Sequence, residues 1–469
     1  MSCSSLTSPA TPAMPAPPPA APPASRCNVR PSAKTGPAKS TPPTPTSPHG
    51  NAPSPTTAPS ISAATKVSSR PTPTASAKTE KPPRRREHGA FIMTPKQRIL
   101  TAINKQEPDR VPVGEAYVDY PIIEHVIGHK TFYRSHARKR IALWEGRRDE
   151  VVDSQKRDLV EFIRRTEFDL LPVWRVPPRN QIVHQPKQIA PDTWEDRDGS
   201  ILQFIPRTEE IMVVKQGDPA VKPIEQPPSD GSEWELWDHV VAELGDTHFL
   251  FASVGAALGV DYNPHAMEGR FERFEQWMVR IIDDPDSIAE QEVRGLQGFR
   301  ETMRPLAERG IDAVRISPDY GHGLATYCSP QQFRRAFLPG LRRFCEEVHA
   351  AGLLVHFHCD ANMAELTDQI VESGADIYQS IEPHEPIDRY KKEIGDHVTL
   401  WGGVSCGDLC TATPDQIRQQ ARFAIRHCAP GGGFILGSSH NLMIATQYDN
   451  FMAMLDVARS EGNYPINID

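Results

Sequence analysis

Large apolar side chains are almost absent from the first 92 residues of this 469-residue chain. This segment holds 21 of the 46 prolines, long runs of Ser, Thr and Ala, and 11 Lys and Arg residues against two acidic ones. Because it can bury too little apolar surface to offset the entropy lost on ordering, residues 1–92 are predicted to be a disordered, basic and dispensable extension. The segment also lacks the apolar core of a secretory signal. Its Arg84–Arg86 triplet is only weak evidence for a nucleic-acid partner, and none is predicted.

Long hydrophobic runs and a cysteine framework are missing from the rest of the chain, residues 93–469. No stretch approaches about 18 uninterrupted apolar residues, so no membrane-spanning segment is predicted. Only six cysteines lie here, without the spacing of a secreted disulfide scaffold, which favours a reducing, cytoplasmic compartment. No glycine-rich nucleotide loop follows the first strand-like run, and Gly431–Gly433 precedes a strand, as a turn does.

Residues 93–469 do contain an alternation of strand-like and helix-like segments. Several of the strand-like runs are apolar almost throughout, as parallel strands covered on both faces are. Eight runs are predicted to be strands: Arg110–Tyr117, Leu170–Arg175, Thr247–Gly255, Ala313–Gly321, Leu353–Ala361, Ile377–Pro383, Val398–Ser405 and Phe434–His440.

Helical periodicity fills many of the gaps between these runs. Two helices are predicted to begin after Thr94 and after Thr413, each with a proline at the first helical position. A third has a buried stripe from Phe333 to Val348 behind a Ser329-Pro330 start. Strand followed by helix, repeated to a count of eight, predicts an α/β fold, a distorted (β/α)8 TIM-type barrel over residues 93–469. The irregular stretch 177–237 is interpreted as an excursion packed beside the barrel.

Active sites of such barrels lie at the carboxyl ends of the strands. The most informative end is Val355–Asp360, in which strand alternation would point His356, His358 and Asp360 to one face. Two imidazoles and a carboxylate can bind a metal ion or transfer protons. The alternative is a pair of hydrogen-bonded histidines at the barrel mouth.

Other strand ends add further candidates. Asp319 could orient a substrate or accept a proton, or could cap its loop, and Tyr320 and His322 follow it. Glu115 ends the first run, and Glu382 could bind a polar substrate group or a loop amide.

Three more polar residues lie at the ends of the last two strand-like runs. His440 ends the last run, and Cys406 and Cys410 follow the run before it. His440 could be an acid/base or could hold its loop closed. Cys406 and Cys410 are four residues apart, but no second cysteine pair completes a structural zinc site, which favours two partly buried thiols.

In this order, these residues resemble the uroporphyrinogen decarboxylase superfamily, and in particular its methyltransferase-like branch. The resemblance covers nearly all of residues 93–469 and implies a distorted (β/α)8 barrel. It is carried by Met93–Arg98, Glu107–Pro112, Pro318–Gly321, Ser329-Pro330, His358–Asn362, Glu382-Pro383, Gly402–Val404, Gly432–Leu436, Ser439–Asn441, Asn450 and Gly462–Pro465.

The resemblance implies a corrinoid-linked methyltransferase or demethylase that acts on a small methylated compound together with a corrinoid-binding protein. Such enzymes hold zinc through a His-x-Cys pair and a distal Cys. Here the pair falls on His358 and Asp360, which become the expected metal ligands, and the distal position falls near Ser438-Ser439. The resemblance therefore implies Asp319, His358, Asp360 and His440 as catalytic residues. It implies substrate binding by Glu115, Tyr320, His322 and Glu382.

Two alternatives stay open. A carboxy-lyase of porphyrin biosynthesis would need no metal or other cofactor, and Asp319 could then stabilise a protonated pyrrole. Against this, Glu115 and Asp119 after the first run would repel a polyacidic porphyrinogen. The second alternative is a non-catalytic, ligand-binding barrel.

Overall fold

The computed structural model describes residues 84–85, 91–256, 258–259, 270–318 and 320–468. A short 3₁₀ turn at Ser232–Trp234 precedes the fifth helix. The strands are β1 (Arg84–Arg85), β2 (Phe91–Ile92), β3 (Leu170–Pro172), β4 (Lys187–Ala190), β5 (Thr193–Glu195), β6 (Ile201–Ile205), β7 (Glu210–Lys215), β8 (Phe249–Ser253), β9 (Ala313–Ile316), β10 (Gly321–His322), β11 (Ala325–Thr326), β12 (Leu354–His358), β13 (Ile377–Ile381), β14 (Thr399–Val404) and β15 (Phe434–Ser438). The helices are α1 (Pro95–Ile103), α2 (Tyr120–Ile127), α3 (His136–Trp144), α4 (Arg148–Thr166), α5 (Glu235–Leu244), α6 (Arg270–Asp283), α7 (Pro285–Gly295), α8 (Phe299–Glu308), α9 (Pro330–Ala336), α10 (Leu338–Ala350), α11 (Thr367–Ser373), α12 (Ile387–Ile394), α13 (Cys406–Thr411), α14 (Pro414–Cys428) and α15 (Tyr448–Glu461).

Seven parallel strands form one sheet in the order β15-β14-β13-β12-β9-β8-β3. The segment Val111–Val118 lies between the two edge strands and joins both of them. Leu436 on β15 exchanges backbone hydrogen bonds with Pro112 and Gly114, and the Val113 carbonyl accepts a bond from Asp169 beside β3. This eighth member closes the predicted distorted barrel.

The closing segment is not the regular strand that was predicted at Arg110–Tyr117. It makes isolated bridges at Val113 and Val118 instead of a continuous ladder. Pro112 has no N–H to donate, which interrupts regular pairing. Several other predicted strands also end earlier in the structure, because the polar residues at their ends belong to the loops above the sheet.

Local signals placed the helix starts correctly. Thr94, Ser329 and Thr413 each form a capping box in front of a proline, at the start of α1, α9 and α14. The predicted single helix with the Phe333–Val348 stripe is divided at Phe337 into α9 and α10. Pro339, in the first turn of α10, cannot donate the bond that would continue α9.

The stretch 177–237, predicted to be irregular, contains a four-stranded antiparallel sheet in the order β4-β5-β6-β7. Its buried side chains Trp194, Leu202 and Ile211 pack with Ala137 of α3. Sequence reasoning missed it because its strands are short and most of their residues are exposed or half-buried.

Most of the predicted extension, 1–92, lies outside the described residues. The described part of it is the antiparallel pair β1–β2, which places strand structure inside a segment predicted to be disordered. No described helix has the length and apolar character needed to cross a membrane.

Asp169 holds the closing segment to the rest of the barrel. Its carboxylate is 0% exposed and forms ion pairs with Arg98 of α1 and, at 2.9 Å, with Arg110. It also accepts the N–H of Val113 at 2.8 Å. One side chain therefore connects α1, the closing segment and β3.

We expect Asp169→Asn to lower the free energy of unfolding by about 3–5 kcal/mol, since it removes the carboxylate that pairs with Arg110 and leaves buried Arg98 paired with Asp109 alone. Chemical denaturation of wild type and variant measures this. Asp415→Asn is the control, because Asp415 is exposed and pairs only with Arg418 within α14, so its loss should cost under about 1 kcal/mol. Equal losses in the two variants would contradict the role of Asp169.

Candidate functional site

His356 and His358 lie on the inner face of β12 and are both buried. His356 is deeper, with its ring 4.7 Å from the ring of Trp401 and 5.3 Å from that of Phe251. Phe357, between the two histidines, faces outward and stacks on Tyr378. This is the alternation that the sequence predicted for the strand.

Gln379 of β13 binds both histidines. Its Oε1 lies 2.9 Å from His356 Nε2 and 3.1 Å from His358 Nδ1. Its Nε2 donates to the carbonyl of His440 at 3.0 Å, and a carbonyl can only accept. The amide orientation is therefore determined, so both histidines must donate to Oε1. His358 consequently carries its proton on Nδ1, and in the neutral ring Nε2 has a lone pair.

That lone pair faces a carboxylate. His358 Nε2 lies 3.0 Å from Asp360 Oδ1, although neither atom has a proton to share when the ring is neutral. Burial, together with Arg315, lowers the pKa of His358 to about 4, so the ring is neutral at neutral pH. Burial opposes ionisation of Asp360, but the His358 ring beside it and the charge of Arg315 hold the pKa of its carboxyl well below the usual range. A cation between the two acceptors, either a proton or a metal ion, would stabilise so short a contact.

His440 completes the group. Its Nε2 lies 3.6 Å from Asp360 Oδ2, and one ligand atom from each of His358, Asp360 and His440 falls within 4.8 Å of the others. Two ligands of a tetrahedral zinc ion are about 3.3 Å apart, given bonds of about 2.0–2.1 Å. The two distances, 3.0 Å from His358 to Oδ1 of Asp360 and 3.6 Å from His440 to Oδ2, lie near this value, which makes the three residues compatible with a metal ion.

The electrostatics of His440 agree with a ligand role. Burial lowers the pKa of His440, which favours the neutral imidazole that binds metals. Its other ring nitrogen, Nδ1, is buried without a hydrogen-bond partner among the described residues. His440, and not Ser438 or Ser439, therefore supplies the third potential ligand atom of the cluster.

The two serines bind carboxyl groups instead. Ser439 Oγ donates to Glu382 Oε1 at 2.5 Å, and the backbone N–H and hydroxyl of Ser438 both donate to Glu115. Burial raises the pKa of Glu115 to about 8, although the Ser438 hydrogen bonds act against the shift. Glu115 is thus mostly protonated at neutral pH, whereas half-buried Glu382 lies at the barrel mouth.

The cysteine pair does not form a ligand site. The Cys410 thiol donates to the Cys406 carbonyl at 3.4 Å, within α13, and the Cys406 thiol lies 4.0 Å from Glu382. Neither thiol belongs to the cluster of potential metal ligands found among the described residues.

Three predicted residues are not brought to this cluster. Tyr320 is 0% exposed and packs against Phe333 and Phe337, so it lies in the hydrophobic core and has no surface with which to bind a substrate. His322 is exposed on the β10–β11 pair, where its Nδ1 accepts the Leu324 N–H at 3.3 Å. Asp319 lies outside the described residues.

Sequence reasoning missed Gln379 and Arg315. Both interrupt otherwise buried strands, in Ile377–Ile381 and Ala313–Ile316. A single polar side chain in a strand of this kind is the signal that could have identified them, because a buried polar group needs a partner.

Comparisons with known proteins give one family match. Residues 233–461 match the family model described as uroporphyrinogen decarboxylase (URO-D). The matched range includes His358, Gln379, Asp360 and His440, but not Glu115. None of the curated proteins compared with the chain matches it.

Three of the solved structures that match differ widely from this chain in sequence. A methyltransferase from Methanosarcina mazei is 14% identical, with 78% of this chain and 98% of that chain covered and a TM-score of 0.49. A protein proposed to be a vitamin-B12-independent methionine synthase from Listeria monocytogenes is 8% identical, with 76% and 97% covered and a TM-score of 0.39. An α-galactosidase from Saccharomyces cerevisiae is 10% identical, with 79% and 66% covered and a TM-score of 0.31. The fold assignment rests on the strand order.

Removing the Gln379 acceptor should move the His358 proton. In Gln379→Leu we expect the neutral ring to carry its proton on Nε2, where it can donate to Asp360. Nitrogen-15 NMR of labelled histidine distinguishes the two tautomers. Gln419→Leu, at an exposed position of α14, is the control and should keep the wild-type tautomer. An unchanged His358 tautomer in Gln379→Leu would show that Gln379 does not determine it.

The raised pKa of Glu115 predicts a pH dependence of stability. The folded protein holds this proton up to about pH 8, whereas the unfolded chain loses it near the ordinary value of 4.5. Wild-type stability should therefore fall between these pH values, by an amount that Glu115→Gln abolishes. Denaturation of both proteins across this range measures the difference, and other titrating groups cancel in the subtraction. Parallel curves would argue against a buried, protonated Glu115.

Proposed function

Residues 233–461 of this chain belong to the uroporphyrinogen decarboxylase superfamily, and we propose that the protein is an enzyme of the methyl-transfer type. In this proposal it removes a methyl group from a small methylated compound and transfers that group to the corrinoid of a partner protein. The proposal rests on one observation. Potential ligand atoms of His358, Asp360 and His440 lie within 4.8 Å of one another at the carboxyl ends of the barrel strands. Sites of catalysis in this architecture lie at that end.

We assign a zinc ion to these three residues. His358 Nε2, a carboxylate oxygen of Asp360 and His440 Nε2 would be its ligands. Three protein ligands leave one tetrahedral position open, which is the pattern of catalytic rather than structural zinc. When bound, the ion would act as a Lewis acid toward the atom that bears the methyl group or toward an acceptor thiol.

The residues around the ligands have separate tasks in the proposal. Gln379 holds His358 in the tautomer whose Nε2 lone pair faces the metal position. Glu382 lies at the mouth with one oxygen occupied by Ser439, and its other oxygen can accept a hydrogen bond from substrate. His440 acts as a ligand and not as the acid/base that its position in the sequence suggested.

The acidic groups at the mouth favour methyl transfer over porphyrinogen decarboxylation. Asp119, Asp360 and Glu382 all follow strand ends, and the charge of Arg134 is already paired with Asp119 at 2.7 Å. A porphyrinogen carries many carboxylates, which would be repelled by such a set. A small compound with few charges avoids this repulsion.

Metal analysis tests the assignment. The full chain, purified and incubated with zinc and then freed of excess, should contain about one equivalent per chain. His358→Ala and His440→Ala should lose it, and His427→Ala, at an exposed position of α14, should keep it. Loss of bound zinc in all three variants, or in none of them, would contradict the proposed ligands.

Methyl transfer is tested separately with free cob(I)alamin as the acceptor. Formation of methylcobalamin from at least one compound of a panel of O-, N- and S-methyl donors is expected, followed by its absorbance. His358→Ala should abolish it. A zinc-loaded protein that transfers methyl from no donor would overturn the function and leave the metal site standing.

A further inference from the structure

A cavity lies at the carboxyl ends of β8 and β9, on the same end of the barrel as His358, Asp360 and His440. Its volume is about 330 Å³, and its polar lining includes the side chains of Ser253 and Arg315. The apolar part of the lining comes from Val254, Leu258 and Ile316. We refer to this cavity as the Arg315 pocket. Its size is at the lower end of the range for small-molecule sites.

Arg315 reaches the interior of the barrel from β9. It is in register with Ser253 on β8 and with His356 on β12, so these side chains share the inner face. The side chain is 8% exposed, and its guanidinium lies 5.7 Å from the ring centre of Tyr117, across the mouth. A cation is thus held inside the barrel and not on its surface.

Arg315 is also electrostatically coupled to the metal cluster. Its charge contributes to the lowered pKa values of His358 and His440, after the larger effect of burial. It contributes in the same way to the lowered pKa of Asp360, where burial opposes the shift. Arg315 therefore acts on the same residues that form the candidate metal site, and its register with His356 places it on the face of the sheet that carries them.

Hydroxyl groups accompany the guanidinium. Tyr117 Oη and Ser253 Oγ are 2.5 Å apart, and the Ser253 side chain is exposed to the pocket. A planar guanidinium with neighbouring hydroxyls matches the two oxygens of a carboxylate, to which arginine donates in pairs. The apolar lining matches an uncharged ring or short chain.

We propose that the Arg315 pocket binds a carboxylate group of the substrate, so that the methylated compound is a small carboxylic acid with an apolar body. This inference rests on the proposed function for the identity of the site.

The test compares two probes of the same shape, 4-methoxybenzoate and 4-methoxybenzamide, by calorimetry with the full chain. Wild type should bind the benzoate at least about tenfold more tightly than the amide, because only the carboxylate forms the charged pair. Arg315→Gln should abolish the preference. Equal affinity of wild type for both probes, or an unchanged preference in Arg315→Gln, would overturn the proposal.

A second pair of variants keeps the test decisive if Arg315→Gln does not fold. Ser253→Asp places a negative charge beside Arg315, whereas Ser253→Asn has the same shape without the charge. The asparagine variant should bind 4-methoxybenzoate at least about tenfold more tightly than the aspartate variant, with the amide unaffected. Equal binding of the benzoate by both variants would contradict the pocket assignment.

These measurements need no turnover, so they separate the two proposals. Arg315-dependent binding of the benzoate without methyl transfer would leave the pocket standing and overturn the function. Methyl transfer from uncharged donors as fast as from their carboxylate counterparts would leave the function standing and overturn the pocket.

Discussion

The carboxylate of Asp169 joins parts of the chain that the strand ladder leaves unconnected. The seven-stranded sheet has two open edges, and the segment between them makes only isolated bridges. Asp169 adds the missing connections, because its carboxylate pairs with Arg98 and Arg110 and accepts the Val113 N–H. These contacts lie at the end of the barrel opposite the candidate site. Because the same segment carries Glu115 and Tyr117 to the mouth, the geometry of the site depends on a charge cluster at the far end of the barrel.

At the mouth, a single amide organises the chemistry. Gln379 links two strands and the loop after β15, since it accepts from His356 and His358 and donates to the His440 carbonyl. A buried amide must satisfy both of its ends, and the carbonyl leaves it only one orientation. The tautomer of His358, and so the direction of its lone pair, follows from a residue that never contacts the metal position. The metal assignment therefore depends on hydrogen-bond directions as well as on proximity.

Features that depend on neighbouring residues could be predicted from the sequence. The helix starts at Thr94, Ser329 and Thr413 and the inward direction of His356 and His358 are confirmed, since capping and strand alternation are local. The meeting of His440 with His358 could not be predicted, because it depends on the curvature of a sheet in which two strands separate β12 from β15. Tyr320 shows the opposite failure, since a residue predicted to lie at a strand end beside the substrate packs instead into an aromatic cluster.

In the proposed site a neutral His440 stands where the family resemblance implies a distal thiolate, and this replacement bears on both proposals. Two neutral histidines and one carboxylate bring one negative charge to a divalent ion, whereas the His-x-Cys pair with a distal Cys implied by the family resemblance would bring two. A zinc ion in this chain would therefore keep a net positive charge and be the stronger Lewis acid. Arg315 adds a second positive charge to the same interior. At the Arg315 pocket these charges would favour the single carboxylate proposed there, which would balance the charge that the missing thiolate leaves uncompensated.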